Sequence, residues 1–418
     1  MTTNNKSIET IKSELYKLLN ASKSLTLYRD LRHISIWQDF ESLLEEILKE
    51  NSTPSLLVDK YYGLINRFLG LSYNTKFFTE SWKEWVLHAS LHLENNFTLL
   101  AEKQGANLSE IMVKALNHDL HCIEKIAHTP WEDIKHLLNR MTGDNDFLDV
   151  FSNEDDKGWE DCISSRGLKD WTGDSLVRHY TTKGSGIFSL YNAFYWNGES
   201  LEGIQNTDPI TLDQLIGYDS KKQILMDNTQ KLINGHPANN VLLYGDKGTG
   251  KSSMVKALIH KYGTQGLRII ELSKIHMGDY HKILKYTEDR KFKFILYIDD
   301  LSFEEHEVEY KHVKALLEGG LKVRPSNLSV YATSNRRHLI KEMVSDREEI
   351  SSTDSMQEKQ SLADRFGITL TFLSPTQKGY LQIVKYMAEE REIYIEEQEL
   401  YERALKWEKL YNGRSGRT

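Results

Sequence analysis

The eight residues GDKGTGKS, which begin at Gly245, have the types and the spacing that bind phosphate groups. They match the pattern GxxxxGK[ST], in which glycines let backbone amides wrap closely around phosphate oxygens. The apolar run VLLY precedes them and a helical pattern follows, so the free amides of a helix N-terminus also point at the phosphates. Lys251 is expected to reach the β- and γ-phosphates of a nucleoside triphosphate, and Ser252 to bind magnesium. We therefore predict a phosphate loop formed by Gly245, Asp246, Lys247, Gly248, Thr249, Gly250, Lys251, Ser252 and Ser253.

A second cluster of chemically active residues follows the apolar run FKFILYI, where two aspartates and then two glutamates occur. Proteins with a phosphate loop take an aspartate from a second strand into the magnesium shell, and Asp299 has that position. Asp300 is predicted to orient and polarise the attacking water. Glu304 is a competing candidate for that role. For Glu305 a capping box that starts at Ser302 is the favoured interpretation.

With these two motifs in place, the chain from about Leu212 onward resembles the AAA+ ATPases. The details are most similar to a bacterial family of uncharacterised ATP-binding proteins, the domain of unknown function 815. The aspartate pair also resembles that of bacterial replication initiators and helicase loaders in the same superfamily. The resemblance rests on the segments LDQLIGYDSKK, NNVLLYGDKGTGKSSMVKAL, YIDDLSFEE, VKALLEGGLKVRP, YATSNRRHLI, SLADRFGITLTF and NGRSGRT.

The resemblance implies roles for further residues. Ile216 and Gly217, in LIGYD, are expected to pack on the adenine. Asn335 matches the sensor-1 position, where an amide holds the attacking water or the γ-phosphate because it both donates and accepts hydrogen bonds. Arg365 resembles an arginine finger that a neighbouring subunit supplies. A local ion pair with Asp364 or another structural contact is the alternative.

The C-terminal segment NGRSGRT resembles the sensor-2 region, in which a lid arginine touches the nucleotide phosphates. Arg417 matches better than Arg414 by its spacing from the lid helix. The sequence stops one residue later, so we expect an incomplete lid. The basic pair Arg336 and Arg337 is open to two interpretations, a contact with an adjoining subunit or simple exposure to solvent.

The elements that must position these residues are predictable from the apolar pattern. The runs NNVLLYG, LRIIELS, FKFILYID and LSVYATSN are short and nearly all apolar, as strands buried on both faces are. Helical stretches separate them, which favours an α/β fold with a mainly parallel sheet. Ligands of such sheets bind beyond the carboxyl ends of the strands. The predicted fold is an α/β P-loop AAA+ core with a helical lid, preceded by a mostly α-helical N-terminal domain.

The first 180 residues show the spacing of amphipathic helices. In the helix predicted from Ser35, the residues Trp37, Phe40, Leu43, Leu44 and Leu48 share one face. Another helix is expected to take Thr129 as N-cap and Pro130 as its first residue. We predict a helical domain over 1–180, an aromatic, strand-like linker over 181–207, the AAA+ core over 208–375 and the lid over 376–418.

Composition limits the classes of protein to which the chain can belong. Its 418 residues are 39% hydrophobic and 27% charged, with 6 prolines and 2 cysteines. These values predict a multidomain globular protein, and the two cysteines suit a reducing cytoplasm. No apolar run reaches the length of a membrane span, so no membrane association is expected. The net charge of -8 means that a DNA contact would need a local basic patch.

Together these patterns predict a magnesium-dependent ATPase that binds and hydrolyses ATP at subunit interfaces. We expect a homo-oligomeric ring or spiral that remodels or loads a macromolecular partner, with an unknown protein as that partner. The alternative is a slow ATP-dependent switch or loader that associates with DNA, because a base as short as Asp300 is compatible with slow turnover.

Overall fold

The computed structural model describes residues 6–74, 81–105, 108–143, 147–151, 158–303, 309–318, 325–335, 339 and 362–411. Its contacts divide the chain into a first unit, Met1–Leu190, and a second unit, Tyr191–Thr418. The division falls inside the segment predicted as a linker. Among the described residues, no helix combines the length and the apolar character that crossing a membrane requires.

In the described part of the first unit, the regular elements are all helices. Its α-helices are Ile8–Lys23, Ser35–Leu48, Pro54–Asn74, Trp82–His92, Asn96–Gln104, Glu110–Ala127, Trp131–Thr142, Trp159–Ser165, Gly173–Lys183 and Ile187–Leu190, with a 3-10 helix at Arg29–His33. The amphipathic pattern of the second helix is confirmed, because Trp37, Phe40, Leu43 and Leu44 are fully buried and Leu48 partly so. Their burial builds a core rich in aromatic rings.

One predicted helix start in this unit is wrong by one residue. The helix begins at Trp131, and neither Pro130 nor Thr129 caps it with a side chain. The hydroxyl of Thr129 instead donates to the carbonyl of Ile126 at 2.6 Å, in the last turn of the preceding helix. The Thr129 side chain is thus bonded to the end of the preceding helix and does not cap the next one.

The second unit is built on a seven-stranded sheet. Its strands are β1 (Ala193–Trp196), β2 (Leu201–Gly203), β3 (Val241–Gly245), β4 (Leu267–Glu271), β5 (Lys293–Ile298), β6 (Leu328–Ser334) and β7 (Ile368–Phe372). Their order across the sheet is β2-β1-β4-β5-β6-β3-β7. Neighbours are parallel except β1 and β2, which form an antiparallel pair. The four apolar runs of the sequence are the four central strands β3 to β6.

Helices cover this sheet and continue into the lid. They are Asp219–Ile233, Lys251–Tyr262, Tyr280–Thr287, Tyr310–Glu318, Gln377–Glu390 and Glu397–Tyr411, with 3-10 turns at Gly263–Gln265 and Lys274–Asp279. The last two α-helices are the lid helices, and the hydroxyl of Tyr380 on the first donates to the carbonyl of Ala404 on the second. The predicted α/β class is confirmed: a P-loop core with a mainly parallel sheet and flanking helices, after a helical region.

The order of the strands decides which residues meet. Strand β6 lies between β5, which leads into Asp299, and β3, which leads into the phosphate loop. All seven residues of β6 are buried. Because parallel strands end at the same edge of the sheet, the residues after β3, β5 and β6 converge there.

Candidate functional site

The phosphate loop runs from the end of β3 into the helix Lys251–Tyr262. Gly245, Gly248 and Gly250 all have positive φ angles, a backbone region that L-residues rarely adopt. At Gly245 the neighbouring strand also leaves no space, because a Cβ would lie 1.9 Å from the carbonyl oxygen of Phe372. The glycines of the sequence pattern are therefore required by the shape of the loop.

Lys251 lies inside this loop and is 6% exposed. Its ammonium donates to the carbonyl oxygens of Gly245 at 2.9 Å and Asp246 at 2.6 Å, and to Oδ1 of Asn335 at 3.2 Å. A buried ammonium is stable only with such partners. The loop thus holds a positive charge at its centre, next to the end of β6.

The Asp299 carboxylate is the meeting point of three chain segments. Its Oδ1 accepts hydrogen bonds from Ser252 Oγ at 2.7 Å and from Thr333 Oγ1 at 2.5 Å, as well as from the amide of Asp300 at 3.1 Å. Burial favours the neutral acid, but the bonds from Thr333 and Ser252 outweigh it and lower the pKa of Asp299. The carboxylate is therefore ionised at neutral pH, and together with the Ser252 hydroxyl it offers the oxygen donors that magnesium prefers.

Asp300 follows with a left-handed backbone, at a φ of 50°. Its amide donates to Thr333 Oγ1 at 3.0 Å, and its Oδ1 accepts from Asn335 Nδ2 at 2.7 Å. A non-glycine residue in this conformation is strained, and such strain is concentrated at functional sites. The strained turn directs the exposed Asp300 side chain to Asn335 rather than back into the sheet.

Asp246 connects the phosphate loop to the entry of the lid. Its Oδ2 accepts from both the amide of Ser374 at 2.7 Å and the hydroxyl of the same residue at 2.8 Å. These two bonds, with a smaller contribution from the Lys251 charge, lower the pKa of Asp246. Ser374 lies between β7 and the first lid helix, so the loop holds the segment that joins core and lid.

These groups border a cavity of about 660 Å³, a size typical of small-molecule sites. One part of its lining is polar and consists of the phosphate loop with Asp299, Asp300, Thr333 and Asn335. A second part, with more apolar residues, comprises Asp208, Pro209, Ile210, Gln214, Leu215, Ile216, Tyr218 and Pro375 of the core and Ile383, Tyr386, Met387 and Glu390 of the first lid helix. A polar part with a cation and a more apolar part suit a molecule that carries phosphates and a flat base.

The structure brings most of the predicted site residues into this cavity. Those that line it are Ile216, Lys247, Gly248, Thr249, Gly250, Lys251, Ser252, Asp299, Asp300 and Asn335. Gly217, Gly245, Asp246 and Ser253 are neighbours in sequence but do not line it. Glu304, Glu305, Arg336, Arg337, Arg414 and Arg417 lie outside the described residues.

Arg365 is not among the residues that line the cavity of its own chain. Its Nε and Nη2 both lie 2.6 Å from Oε1 of Glu318, at the end of the helix Tyr310–Glu318. This ion pair differs from the pair with Asp364 that the sequence suggested.

Some cavity residues were missed by sequence reasoning. Thr333 lies two residues before Asn335 and so faces the same side of β6, a signal that the period of a strand provides. On the first lid helix, Ile383, Tyr386, Met387 and Glu390 follow the spacing of one helical face. That face was recognisable, but its partner was not, because the sequence gives no indication of what the lid covers.

Comparison with solved structures found partial similarities at low sequence identity. A chain of the Thermotoga maritima RuvB Holliday junction branch migration motor is 22% identical, with a TM-score of 0.35. The match covers 47% of this chain and 58% of RuvB, so it spans less than two thirds of that protein. A chain of the E. coli MS115-1 HORMA:CdnC:Trip13 complex is 13% identical with a TM-score of 0.33, over 46% of this chain and 74% of that one.

No curated protein sequence matches the chain significantly. A family model does match, over residues 189–418, and its description is "Protein of unknown function (DUF815)". The matched region contains the phosphate loop, the acidic strand end and Asn335. Because it spans more than half of the chain, the protein belongs to the DUF815 family.

Proposed function

We propose that the protein is a magnesium-dependent ATPase that binds and hydrolyses ATP at the interfaces of a homo-oligomer. The observation that carries the proposal is the 2.7 Å hydrogen bond from Ser252 Oγ to Asp299 Oδ1. It joins the phosphate loop to the acidic strand end. One hydroxyl and one carboxylate leave room for phosphate oxygens and water, which is how magnesium is usually held beside a nucleotide.

Each polar group of the cavity lining then has a role. Lys251 binds the β- and γ-phosphates, while the carbonyl oxygens of Gly245 and Asp246 keep its ammonium oriented. Asp300 orients the attacking water and accepts its proton, and Asn335 fixes the carboxylate of Asp300. Magnesium, when bound, neutralises charge on the phosphate oxygens.

The more apolar part of the cavity lining is proposed to bind the base. Ile216 comes from the core, and Ile383, Tyr386 and Met387 come from the first lid helix. A base held between core and lid would make the angle between them sensitive to the nucleotide. This sensitivity is the means by which we propose that hydrolysis moves a bound partner, which the helical first unit would select.

Arg365 is proposed to act on the nucleotide of the adjoining subunit. In support, it lies outside the cavity of its own chain, and its partner Glu318 is 43% exposed. An ion pair this exposed contributes about 0–1 kcal/mol, so it is readily exchanged for a phosphate. Arginine is well suited to the role because its planar fork binds two phosphate oxygens at once.

The test is the rate of ATP hydrolysis as a function of protein concentration, with and without magnesium. The proposal expects magnesium dependence and a rate that rises more than linearly, because assembly brings Arg365 to each site. A strictly proportional rate that Arg365→Ala leaves unchanged would remove the assembly from the proposal. If the protein neither binds nor hydrolyses ATP, the proposed ATPase activity is contradicted.

A slow nucleotide-dependent switch that associates with DNA is the second candidate. It is favoured by the Asp300 carboxylate, which is one methylene shorter than a glutamate and accepts a 2.7 Å bond from Asn335. Hydrolysis would be slow because the water must come close to the Asp300 carboxylate, which already accepts a hydrogen bond from Asn335. DNA binding that requires ATP and weakens steeply with salt would support it, and no binding at low salt would exclude it.

A further inference from the structure

Tyr297 carries a buried hydroxyl that the proposed function does not use. It belongs to β5, two residues before Asp299, so the two side chains face the same side of the sheet. The residue is 1% exposed. Among the described residues, its oxygen has no hydrogen-bond partner with acceptable geometry. A buried hydroxyl without a partner destabilises a protein, so its presence calls for a reason.

The surroundings of this hydroxyl supply one. It is close enough to interact with the Asp299 carboxylate and with the hydroxyls of Ser252 and Thr333. Oδ1 of Asp299 already accepts from the Ser252 hydroxyl, the Thr333 hydroxyl and the Asp300 amide. An ionised carboxylate has about four lone-pair positions on its two oxygens, and three donors at Oδ1 hold it in an orientation that leaves the Tyr297 hydroxyl without an aligned bond.

The arrangement changes once the Ser252 oxygen serves as a metal ligand, as the proposed function requires. Its donation to Asp299 is then given up, so that two donors remain on Oδ1 and the carboxylate is free to turn. We infer that Tyr297 is a positioning residue whose hydroxyl then donates to the Asp299 carboxylate and holds it toward the magnesium ion. The inference rests on the proposed function and deepens it, because it names a group that tunes metal affinity without touching the metal.

The neighbouring strand offers a matched control. Tyr331 on β6 pairs in register with Tyr297 and is also fully buried. Its hydroxyl, however, lies 3.0 Å from Asn228 Nδ2 and 2.9 Å from Thr229 Oγ1, both on the helix Asp219–Ile233. This second tyrosine therefore has complete partners in the core, and removing its hydroxyl tests stability alone.

The experiment compares wild type, Tyr297→Phe and Tyr331→Phe by thermal unfolding. Each protein is measured alone, with a non-hydrolysable ATP analogue in EDTA, and with the analogue during a magnesium titration. For Tyr297→Phe alone we expect an unfolding temperature equal to or above that of wild type, since no formed bond is lost. Its magnesium concentration for half-maximal stabilisation should rise by about 10-fold or more, the range for partners of metal ligands.

Tyr331→Phe should give the opposite pattern, with a lower unfolding temperature alone and the wild-type magnesium midpoint. A wild-type midpoint in Tyr297→Phe would overturn the inference and leave the proposed function intact. So would an equal shift in both variants, or a loss of stability in Tyr297→Phe alone. If the analogue fails to stabilise even the wild type, the proposed function fails and the inference with it.

Discussion

Asn335 Nδ2 donates to Asp300 Oδ1 at 2.7 Å, across the gap between the ends of β6 and β5. The carbonyl oxygen of the same amide accepts from Lys251 at 3.2 Å. One side chain therefore connects the cation of the phosphate loop to the acid proposed to activate water. We expect a change at the phosphates to reach Asp300 through this amide.

Asp300→Asn should separate binding from hydrolysis. The substitution retains size and the ability to contact Asn335 but removes the base, so hydrolysis should fall by about 10²–10⁴-fold. Affinity for ATP should stay close to that of wild type. Single-turnover hydrolysis and equilibrium binding measure the two quantities. Glu304→Gln is the comparison: if that variant loses hydrolysis and Asp300→Asn does not, the water is oriented by Glu304.

Mixing two inactive variants tests whether Arg365 acts in the neighbouring subunit. Lys251→Ala lacks a working phosphate loop and Arg365→Ala lacks the guanidinium, so each alone should be inactive. In a mixed head-to-tail assembly, about a quarter of the interfaces combine an intact loop with an intact Arg365. We expect hydrolysis to reappear in the mixture to that extent.

The partner of Arg365 provides the control for that experiment. Glu318→Gln removes the ion pair at 2.6 Å but leaves the guanidinium in place. Activity close to that of wild type in this variant would assign the loss in Arg365→Ala to catalysis. An equal loss in both variants, with no recovery in the mixture, would show that Arg365 is structural.

Two glycines with positive φ angles should differ sharply when changed to alanine. At Gly245 the new Cβ would lie 1.9 Å from a backbone oxygen of Phe372, whereas at Gly217 nothing lies within 4 Å. Gly217→Ala should therefore cost only the backbone strain, about 1–2 kcal/mol. Gly245→Ala adds a clash that displaces β7 and should cost more than about 4 kcal/mol. Denaturant unfolding measures both, and equal losses would contradict the close approach of the strands.

The first unit should lose stability in mild acid. Burial lowers the pKa of His88 to about 4 and that of His179 to about 4. Burial, with the positive charges around it, lowers the pKa of His92 to about 2. These groups stay neutral in the folded chain but bind protons near pH 6.5 when unfolded. Stability is therefore present above pH 6.5 and falls toward pH 4, by about 1.4 kcal/mol per pH unit for each histidine.

Tryptophan fluorescence during denaturation can follow this loss, because six of the eight tryptophans precede residue 190. His92→Gln preserves the ability to bond the Ser189 hydroxyl, which lies 2.9 Å from His92 Nδ1. This substitution should reduce the slope of the free energy of unfolding against pH by the contribution of one proton. An unchanged slope in His92→Gln would contradict the prediction.

The central strands and the phosphate loop were predictable because their signals are local. Strands buried on both faces need continuous apolar runs, and the loop needs its glycines at fixed spacing. Strand β7 gave a weaker signal, because it pairs only with β3 at the edge of the sheet and is partly exposed. Whether a strand lies at the edge depends on how the whole sheet assembles, and the five residues of β7 alone do not specify it.

Contacts between segments that are far apart in the chain could not be predicted from the sequence for the same reason. The Thr333 hydroxyl bonds Asp299 only because β6 is placed beside β5. Asp246 bonds Ser374, 128 residues further along the chain, because β7 is placed beside β3. Both relationships follow from strand order, which no single motif specifies.

The central claim is that a nucleoside triphosphate and its magnesium bind where the phosphate loop meets Asp299. Calorimetric titration of ATP with magnesium into wild type and Lys251→Ala tests it most directly, with thermal unfolding as a check that the variant is folded. We predict saturable uptake by wild type and about 10–100-fold weaker binding by the variant, since a charged hydrogen bond is lost. No uptake of ATP or ADP by wild type, or undiminished uptake by Lys251→Ala, would contradict the account.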